Sequence, residues 1–315
     1  MRHQHKTFRA IEVGDGRDGR WATHARGLWP DMEDLLTAEG RTPEGARRVR
    51  KLFRTHMPEL VPVLHRLAGQ LDSPEADVLL THAALRPFSP ACTQIGGIGT
   101  LLRNYDFPPD QCEGTIVSSC FLRPVIGMQD VLWGLLDGMN DAGLAISLTF
   151  GGRSVHGRGF AILVVVRYLL ETCDTVDEAL DRLRSLPIAV PQNLTLVDPA
   201  KAVTVFVGPD MPPTTAPDAC AANHQHLPVS DEQERASRTQ ERLRAMRAAG
   251  TDVAAMLKPP LYRSADEQQG PGTLYTALYR PVEGRVTYHW PGESWHQSFD
   301  DFTPGIHDVA LGRAV

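Results

Sequence analysis

A cysteine at the start of a predicted strand is the most promising chemical group in this chain of 315 residues. Cys92 follows Arg86 to Ala91, a stretch whose two prolines favour extended backbone. Arg103 and Asp106 come next along the chain, and a charge pair beside a thiol can stabilise a thiolate or hold an ammonium group. This pattern predicts a nucleophilic cysteine. A buried structural thiol and a surface ion pair fit the same spacing.

Two other patterns suggest a metal site or a phosphate site. His224 and His226 alternate, so on a strand both imidazoles would lie on one face, where they could ligate a metal. No carboxylate motif of the metalloprotease type accompanies them. Gly96-Gly97-Ile98-Gly99 lacks the Lys and Ser/Thr that a phosphate loop needs in register, and it predicts a strand turn instead. We therefore predict no metal and no organic cofactor.

Composition and charge exclude several classes of protein. Lys and Arg total 32 against 38 Asp and Glu, for a net charge of −6, which argues against binding to nucleic acid. Five cysteines without a C-x-x-C motif exclude the usual zinc and redox spacings. The longest apolar run, Phe160 to Val166, is too short to span a bilayer, and the first residues lack the apolar core of a signal peptide. The sequence thus predicts a cytoplasmic protein that binds neither nucleic acid nor membrane.

The order of predicted elements favours an α+β fold. The first 91 residues are basic and mostly helical, with helix starts at Thr42-Pro43-Glu44 and Ser73-Pro74-Glu75. Strands are predicted over 93–103, 114–122, 130–136, 144–150, 193–197, 202–207, 218–223, 273–280 and 285–290, with a turn over 137–143. Helices are predicted over 160–170, 175–187 and 232–249. Such segregated runs favour layers around an antiparallel sheet over a doubly wound fold.

Four motifs in order resemble those of a known family. They are Cys92-Thr93, Leu102-Arg103-Asn104-Tyr105-Asp106-Phe107, Gly138-Met139-Asn140-Asp141-Ala142-Gly143-Leu144 and Ala222-Asn223-His224. Together they are similar to the motifs of penicillin acyltransferase-type proteins, which are N-terminal-nucleophile (Ntn) hydrolases related to choloylglycine hydrolases. The helical stretch before Cys92 resembles the pro-segment of the acyltransferase branch.

The resemblance implies an αββα sandwich of two antiparallel sheets and a precursor that cleaves itself between Ala91 and Cys92. It divides the chain into a leader, residues 1–91, and a catalytic body, residues 92–315, which stay associated. Cys92 matches the nucleophile, Arg103 and Asp106 the pair around it, and Asn223 the oxyanion-hole asparagine. Residues matching substrate-binding positions are Thr149, Phe150, His224 and Arg238.

The implied chemistry suits these residue types. A thiol of ordinary pKa near 8.5 is a good nucleophile, and an α-amine of pKa about 7.7–8.0 is a usable base at neutral pH. Cleavage before Cys92 would place both groups on one residue. The expected substrate is a small acyl-amide or acyl-thioester, with acyl-coenzyme A as one option. The alternative from a different class is a non-catalytic or metal-dependent protein that uses His224 and His226.

Overall fold

The computed structural model describes residues 4–87, 91–225, 230–264 and 272–311. Its helices are α1 (Arg20–Glu33), α2 (Pro43–His56), α3 (Val61–Ala68), α4 (Ala76–Leu80), α5 (Ile162–Thr172), α6 (Val176–Leu183), α7 (Asp231–Ser237), α8 (Thr239–Ala249) and α9 (Val253–Met256). Its strands are β1 (Gln4–Gly14), β2 (Ala91–Gly97), β3 (Thr100–Asp106), β4 (Thr115–Cys120), β5 (Pro124–Asp130), β6 (Gly134–Asn140), β7 (Ala145–Phe150), β8 (Gln192–Val197), β9 (Ala202–Gly208), β10 (Met211–Thr215), β11 (Cys220–Ala221), β12 (Thr273–Arg280), β13 (Arg285–Trp290), β14 (Glu293–Ser298) and β15 (Gly305–Leu311).

Within these residues the strands form two sheets. The large sheet has the order β10-β9-β8-β7-β6-β5-β4-β1-β15, and the small sheet has the order β11-β2-β3-β12-β13-β14. Strand β1 runs parallel to β4, and the other neighbouring strands run antiparallel.

The sheets stack face to face between helices. Strands β2 and β3 of the small sheet contact β7 and β8 of the large sheet, so the core lies between them. Helix α5 packs on the outer face of the large sheet, against β5, β6 and β7, while α8 and α9 cover the outer face of the small sheet. This arrangement confirms the α+β class and the αββα layers expected from the sequence.

The leader contains a strand as well as helices, which corrects the expectation of a mostly helical segment. Strand β1 lies between β4 and β15 in the large sheet. Two tryptophan N–H groups also join leader and body: Trp21 donates to the Leu132 carbonyl at 3.0 Å, and Trp133 donates to the Leu80 carbonyl at 2.9 Å. The leader is therefore part of the same packed unit as the body.

The continuous strand expected over 130–136 is interrupted, because only Asp130 (the end of β5) and residues 134–136 (in β6) are strand. Strand β5 ends at Asp130, whose side chain accepts from the Val131 N–H at 3.1 Å and caps a short 3-10 turn over Val131–Trp133. Val131 and Leu132 have φ angles of 52° and 71°, which no strand adopts. Strand β6 then runs through Asn140, so the turn expected over 137–143 begins only after that residue. Asp137 is thereby placed in the middle of a buried strand.

The single helix expected over 232–249 is also wrong, because it breaks at Arg238. This residue adopts a left-handed φ of 50° between α7 and α8. Two expected caps form: the Thr42 hydroxyl accepts from the Gly45 N–H at 3.1 Å, and the Thr175 hydroxyl accepts from the Glu178 N–H at 3.3 Å. The helix expected from Ser73 begins only at Ala76, without a side-chain cap. Strands β1, β5, β10, β14 and β15 were not predicted from the sequence. Within the described residues, none of the helices is both long enough and apolar enough to cross a membrane.

Candidate active site

The β2–β3 hairpin positions the cysteine. Its turn contains Gly99 with a φ of +65°, a conformation that favours glycine. The resulting register pairs Cys92 with Tyr105 and Gln94 with Arg103. Because side chains alternate along a strand, Arg103 and Tyr105 lie on one face of β3, and Asn104 and Asp106 lie on the other.

The Cys92 thiol lies against a guanidinium group. Arg103 Nη2 donates to Cys92 Sγ at 3.0 Å, and both side chains are fully buried. Burial raises the pKa of the Cys92 thiol to about 11, and the positive charge of Arg103 opposes that rise only in part. In the continuous chain the cysteine is therefore protonated at neutral pH.

Arg103 also forms a buried ion pair across the two sheets. Its Nη1 donates to Asp137 Oδ2 at 2.8 Å and to the Leu136 carbonyl at 2.8 Å. The Asp137 carboxylate also accepts from Tyr275 at 2.5 Å and from Tyr279. The guanidinium carbon lies 4.9 Å from the centre of the Tyr105 ring, a cation–π contact. These partners fix the guanidinium group that faces the thiol.

Asp106 belongs to a different ion pair. The expectation that Arg103 and Asp106 form one pair is wrong, because residues three apart on a strand point to opposite faces. Asp106 Oδ2 accepts from Arg242 Nη2 of α8, and its Oδ1 accepts from the Thr273 hydroxyl at 2.7 Å. The backbone of Asp106 pairs with that of Ala91. Asp106 is therefore directly across the hairpin from Ala91, the residue before the expected cleavage point.

The Asn223 side chain lies against the Cys92 backbone. In the orientation that satisfies both groups, its oxygen accepts from the Cys92 N–H at 3.2 Å, and its nitrogen donates to the Cys92 carbonyl at 3.3 Å. Gly152, with a φ of +80°, packs so closely that a Cβ there would lie 2.2 Å from the Asn223 carbonyl oxygen. Only glycine therefore leaves room for Asn223 beside Cys92.

Thr149 holds the segment that carries Asn223. Its hydroxyl donates to the Ala222 carbonyl at 2.6 Å, and Asn193 Nδ2 donates to the same carbonyl at 2.8 Å. Both side chains are fully buried. These contacts give Thr149 a structural role in holding residues 222–224. Phe150 follows Thr149 as the last residue of β7 and is half-buried.

The histidine and arginine candidates have partners of their own. His224 Nε2 lies 3.4 Å from the Ser237 hydroxyl and 3.3 Å from Glu234 Oε2. Arg238 forms an exposed bidentate pair with Glu241 at 2.7 and 2.8 Å, so the structure does not bring it to Cys92. His226 lies outside the described residues. Among the residues that are described, no cluster of three His, Cys, Asp or Glu side chains could hold a metal ion.

Residues 93–295 match the sequence model of a family described as acyl-coenzyme A:6-aminopenicillanic acid acyl-transferase. The chain belongs to this family. The match begins directly after Cys92, so the leader lies outside it. The family resemblance noted from the four motifs is confirmed. Among curated protein sequences, none matches this chain.

Several solved structures are similar to this acyl-transferase family member over most of their own length. A mutant of conjugated bile acid hydrolase from Clostridium perfringens has 11% identity and a TM-score of 0.42, covering 69% of this chain and 96% of that chain. Penicillin V acylase from Agrobacterium tumefaciens has 15% identity and a TM-score of 0.43, covering 71% and 92%. The Caenorhabditis elegans N-acylethanolamine-hydrolyzing acid amidase ortholog has 14% identity and a TM-score of 0.42, covering 61% and 92%.

Two buried residues of this acyl-transferase family member were missed by the sequence analysis. Asp137 was assigned to a turn, and no local pattern links it to Arg103 on the other sheet. Arg242 did have a signal: it lies within the buried helical stripe formed by Thr239, Leu243 and Met246. A charged residue inside an apolar stripe requires a buried partner, and here that partner is Asp106.

Proposed function

We propose that this protein is an autoproteolytic cysteine amidohydrolase or acyltransferase with Cys92 as its nucleophile. The observation that carries the proposal is the 3.0 Å contact between Cys92 Sγ and Arg103 Nη2 on a residue whose backbone N–H is held by Asn223. A structural cysteine needs neither a fixed cation nor an amide side chain on its backbone. The family match supports acyl transfer as the reaction class.

The first step is proposed to occur within the chain. The Cys92 thiol adds to the Ala91 carbonyl carbon, the carbon–nitrogen bond breaks as the nitrogen takes up a proton, and a thioester forms. Water hydrolyses this thioester and releases the Ala91 carboxylate together with a free thiol and α-amine on Cys92. Arg103 favours the thiolate that attacks, because a nearby positive charge stabilises the charged form.

The second step uses the same thiol on an external substrate. The new α-amine accepts the thiol proton, and the sulfur attacks the acyl carbon of an acyl-amide or acyl-thioester. The C–N or C–S bond of the substrate breaks, the amine or thiol leaves with the proton that the α-ammonium returns, and a Cys92 thioester remains. Water or an amine then attacks this thioester, takes the acyl group and releases the Cys92 thiol.

Asn223 Nδ2 is proposed to give up its hydrogen bond to the Cys92 carbonyl and to donate instead to the oxyanion of the substrate. Asp106 is proposed to lie near the new α-amine. The family description names an acyl-coenzyme A donor and an amine acceptor, and we extend both as candidate substrates to this chain.

The leader is proposed to remain bound after cleavage. Strand β1 pairs with β4 and β15 on both of its edges, and the leader shares its hydrophobic core with the body. Breaking the bond after Ala91 removes none of these contacts. Both fragments should therefore copurify.

The test is intact-mass analysis with Cys92→Ala and a matched cysteine control. The parent chain should yield fragments of about 10 and about 25 kDa out of 34.7 kDa by residue share. Cys92→Ala should stay intact and inactive because both steps lose their nucleophile, whereas Cys120→Ala, which removes an exposed thiol, should cleave normally. Cleavage or turnover in Cys92→Ala would refute the proposal.

A further inference from the structure

A cavity of about 280 Å³ lies between the leader and the body. Its leader wall includes Val49, Leu52 and Ala84, and its body wall includes Ile162, Val190 and Gln192. This volume is close to the lower end of the range for small-molecule pockets, about 300–1,000 Å³. The wall is mostly apolar and is built from both sides of the expected cleavage point.

The large sheet separates this cavity from Cys92. Gln192 and Asn193 are neighbours on β8, so their side chains point to opposite faces of the sheet. Asn193 reaches the Ala222 carbonyl, next to Asn223, whereas Gln192 lines the cavity together with the start of α5. The cavity therefore lies on the outer face of the large sheet, away from the proposed active site.

Two fully buried side chains in the cavity wall have unsatisfied polar atoms. Neither amide atom of Gln192 has a hydrogen-bond partner among the described residues, and the same holds for Nδ1 of His82. His82 Nε2 lies 3.0 Å from the Val131 carbonyl and donates to it, which leaves Nδ1 as an acceptor. Burial lowers the pKa of His82 to about 4, so the ring is neutral. Such orphaned buried groups require an explanation, because each is costly without a partner.

The outer part of the cavity wall is positively charged. Arg48, Arg86 and Arg158 line it, together with a single acid among the lining residues described, Glu39. Arg48 pairs with Glu39 at 2.6 Å, Arg158 Nη2 lies 3.9 Å from the same carboxylate, and Arg86 and Arg158 are exposed. An anion at this end of the cavity would meet a net positive charge, while a neutral polar group further in would meet Gln192.

We propose that this cavity is a second binding site, which takes a medium-chain carboxylic acid that bears a hydroxyl or amide at its far end. The carboxylate binds at the arginine rim, the chain packs against Val49, Leu52 and Ile162, and the terminal polar group both donates to and accepts from Gln192. Because the walls come from leader and body, a bound ligand stabilises the association of the two. The site does not depend on the chemistry of Cys92.

The test uses calorimetric titration of full-length Cys92→Ala protein with 8-hydroxyoctanoate. We expect saturable binding of one molecule per chain. Octanoate lacks the hydroxyl and 1,8-octanediol lacks the carboxylate, so each should bind at least tenfold more weakly. Absence of saturable binding by 8-hydroxyoctanoate at millimolar concentration would overturn the proposal.

A set of variants locates the binding. Gln192→Leu should bind 8-hydroxyoctanoate and octanoate equally, because the group that distinguishes them is gone. Gln129→Leu is the matched control: Gln129 is equally buried in the same sheet, but its Nε2 donates to Glu113 at 2.6 Å and it does not line the cavity, so its loss should leave the ligand preference intact. Ala83 also lines the cavity, so Ala83→Trp should fill part of it and abolish binding even if Gln192→Leu folds poorly. An unchanged preference in Gln192→Leu, or unchanged affinity in Ala83→Trp, would place the ligand elsewhere and refute the proposal.

Discussion

The two faces of strand β3 each carry a buried arginine–carboxylate pair, and the two pairs are built differently. On the inner face Arg103 and Asp137 join the two sheets, and two tyrosine hydroxyls also donate hydrogen bonds to the Asp137 carboxylate. On the outer face Arg242 and Asp106 join helix α8 to the strand, and the Thr273 hydroxyl also donates a hydrogen bond to the Asp106 carboxylate. The inner arginine touches the thiol, whereas the outer carboxylate lies opposite Ala91 in the strand register. One short strand thus presents a cation to the sulfur and an anion near the backbone bond that we propose is cleaved.

The two arginines also differ in their spare hydrogen-bonding capacity. Both terminal nitrogens of Arg103 donate to partners, and only its Nε lacks one among the described residues. For Arg242, both Nε and Nη1 lack partners within the same part of the chain. The inner pair is therefore the more completely satisfied. We infer that its geometry is the more rigid, as a fixed contact to the proposed nucleophile requires.

The largest expected effect comes from removing the inner cation. Arg103→Met leaves the Asp137 carboxylate buried without its arginine and should lower the free energy of unfolding by about 3–5 kcal/mol. Denaturation in a Cys92→Ala background measures this loss on uncleaved protein. The same chain with Cys92 retained should neither cleave nor turn over, because the sulfur has lost its cation.

A double variant separates stability from chemistry. Arg103→Met combined with Asp137→Leu removes both charges and should recover much of the lost stability, because no buried charge remains unpaired. Cleavage and turnover should stay lost. If the double variant cleaves at the parent rate, Arg103 is a structural residue and the inner pair has no role at the thiol.

Local sequence predicts some of these residues and not others, for physical reasons. Cys92 and Asn223 occur in short motifs, and the structure brings them together. Asp137 was missed because its partner is on another sheet, so the pair follows from tertiary packing alone. Strand β1, by contrast, has a local signal in the sequence. Polar and apolar residues alternate there, and in the structure Phe8 and Ala10 are buried while Thr7 and Arg9 are exposed, which is the two-residue period of a strand.

Asp130 shows the expected consequence of burying a carboxylate beside another acid. Burial, and secondarily the charge of Glu113, raises the pKa of Asp130 from 3.8 to about 7. The folded state then binds this proton more tightly than the unfolded state does. The contribution of protonated Asp130 to the free energy of unfolding is complete below pH 4 and is lost as the pH rises through about 7.

Asp130→Asn cannot ionise, yet its side-chain oxygen can still accept from the Val131 N–H. Relative to the parent residue, it should gain about 2–4 kcal/mol of unfolding free energy between pH 4 and pH 8, since each pKa unit corresponds to about 1.4 kcal/mol. Urea denaturation at both ends of this pH range, in the Cys92→Ala background, measures the gain. A constant difference across the range would show that Asp130 does not titrate there.

The smallest expected effect concerns the outer carboxylate after cleavage. If Asp106 lies near the new α-amine, its negative charge favours the ammonium form and raises the pKa of that amine. Turnover needs the neutral amine, so Asp106→Asn should move the acidic midpoint of the kcat/KM profile down by about one pH unit. Thr273→Val is the matched control, because it removes the 2.7 Å hydrogen bond to Asp106 and keeps the charge. A midpoint that moves equally in both variants would assign the effect to packing. A midpoint that moves in neither would place Asp106 too far from the amine to act on it, and the outer pair would then serve only to anchor helix α8.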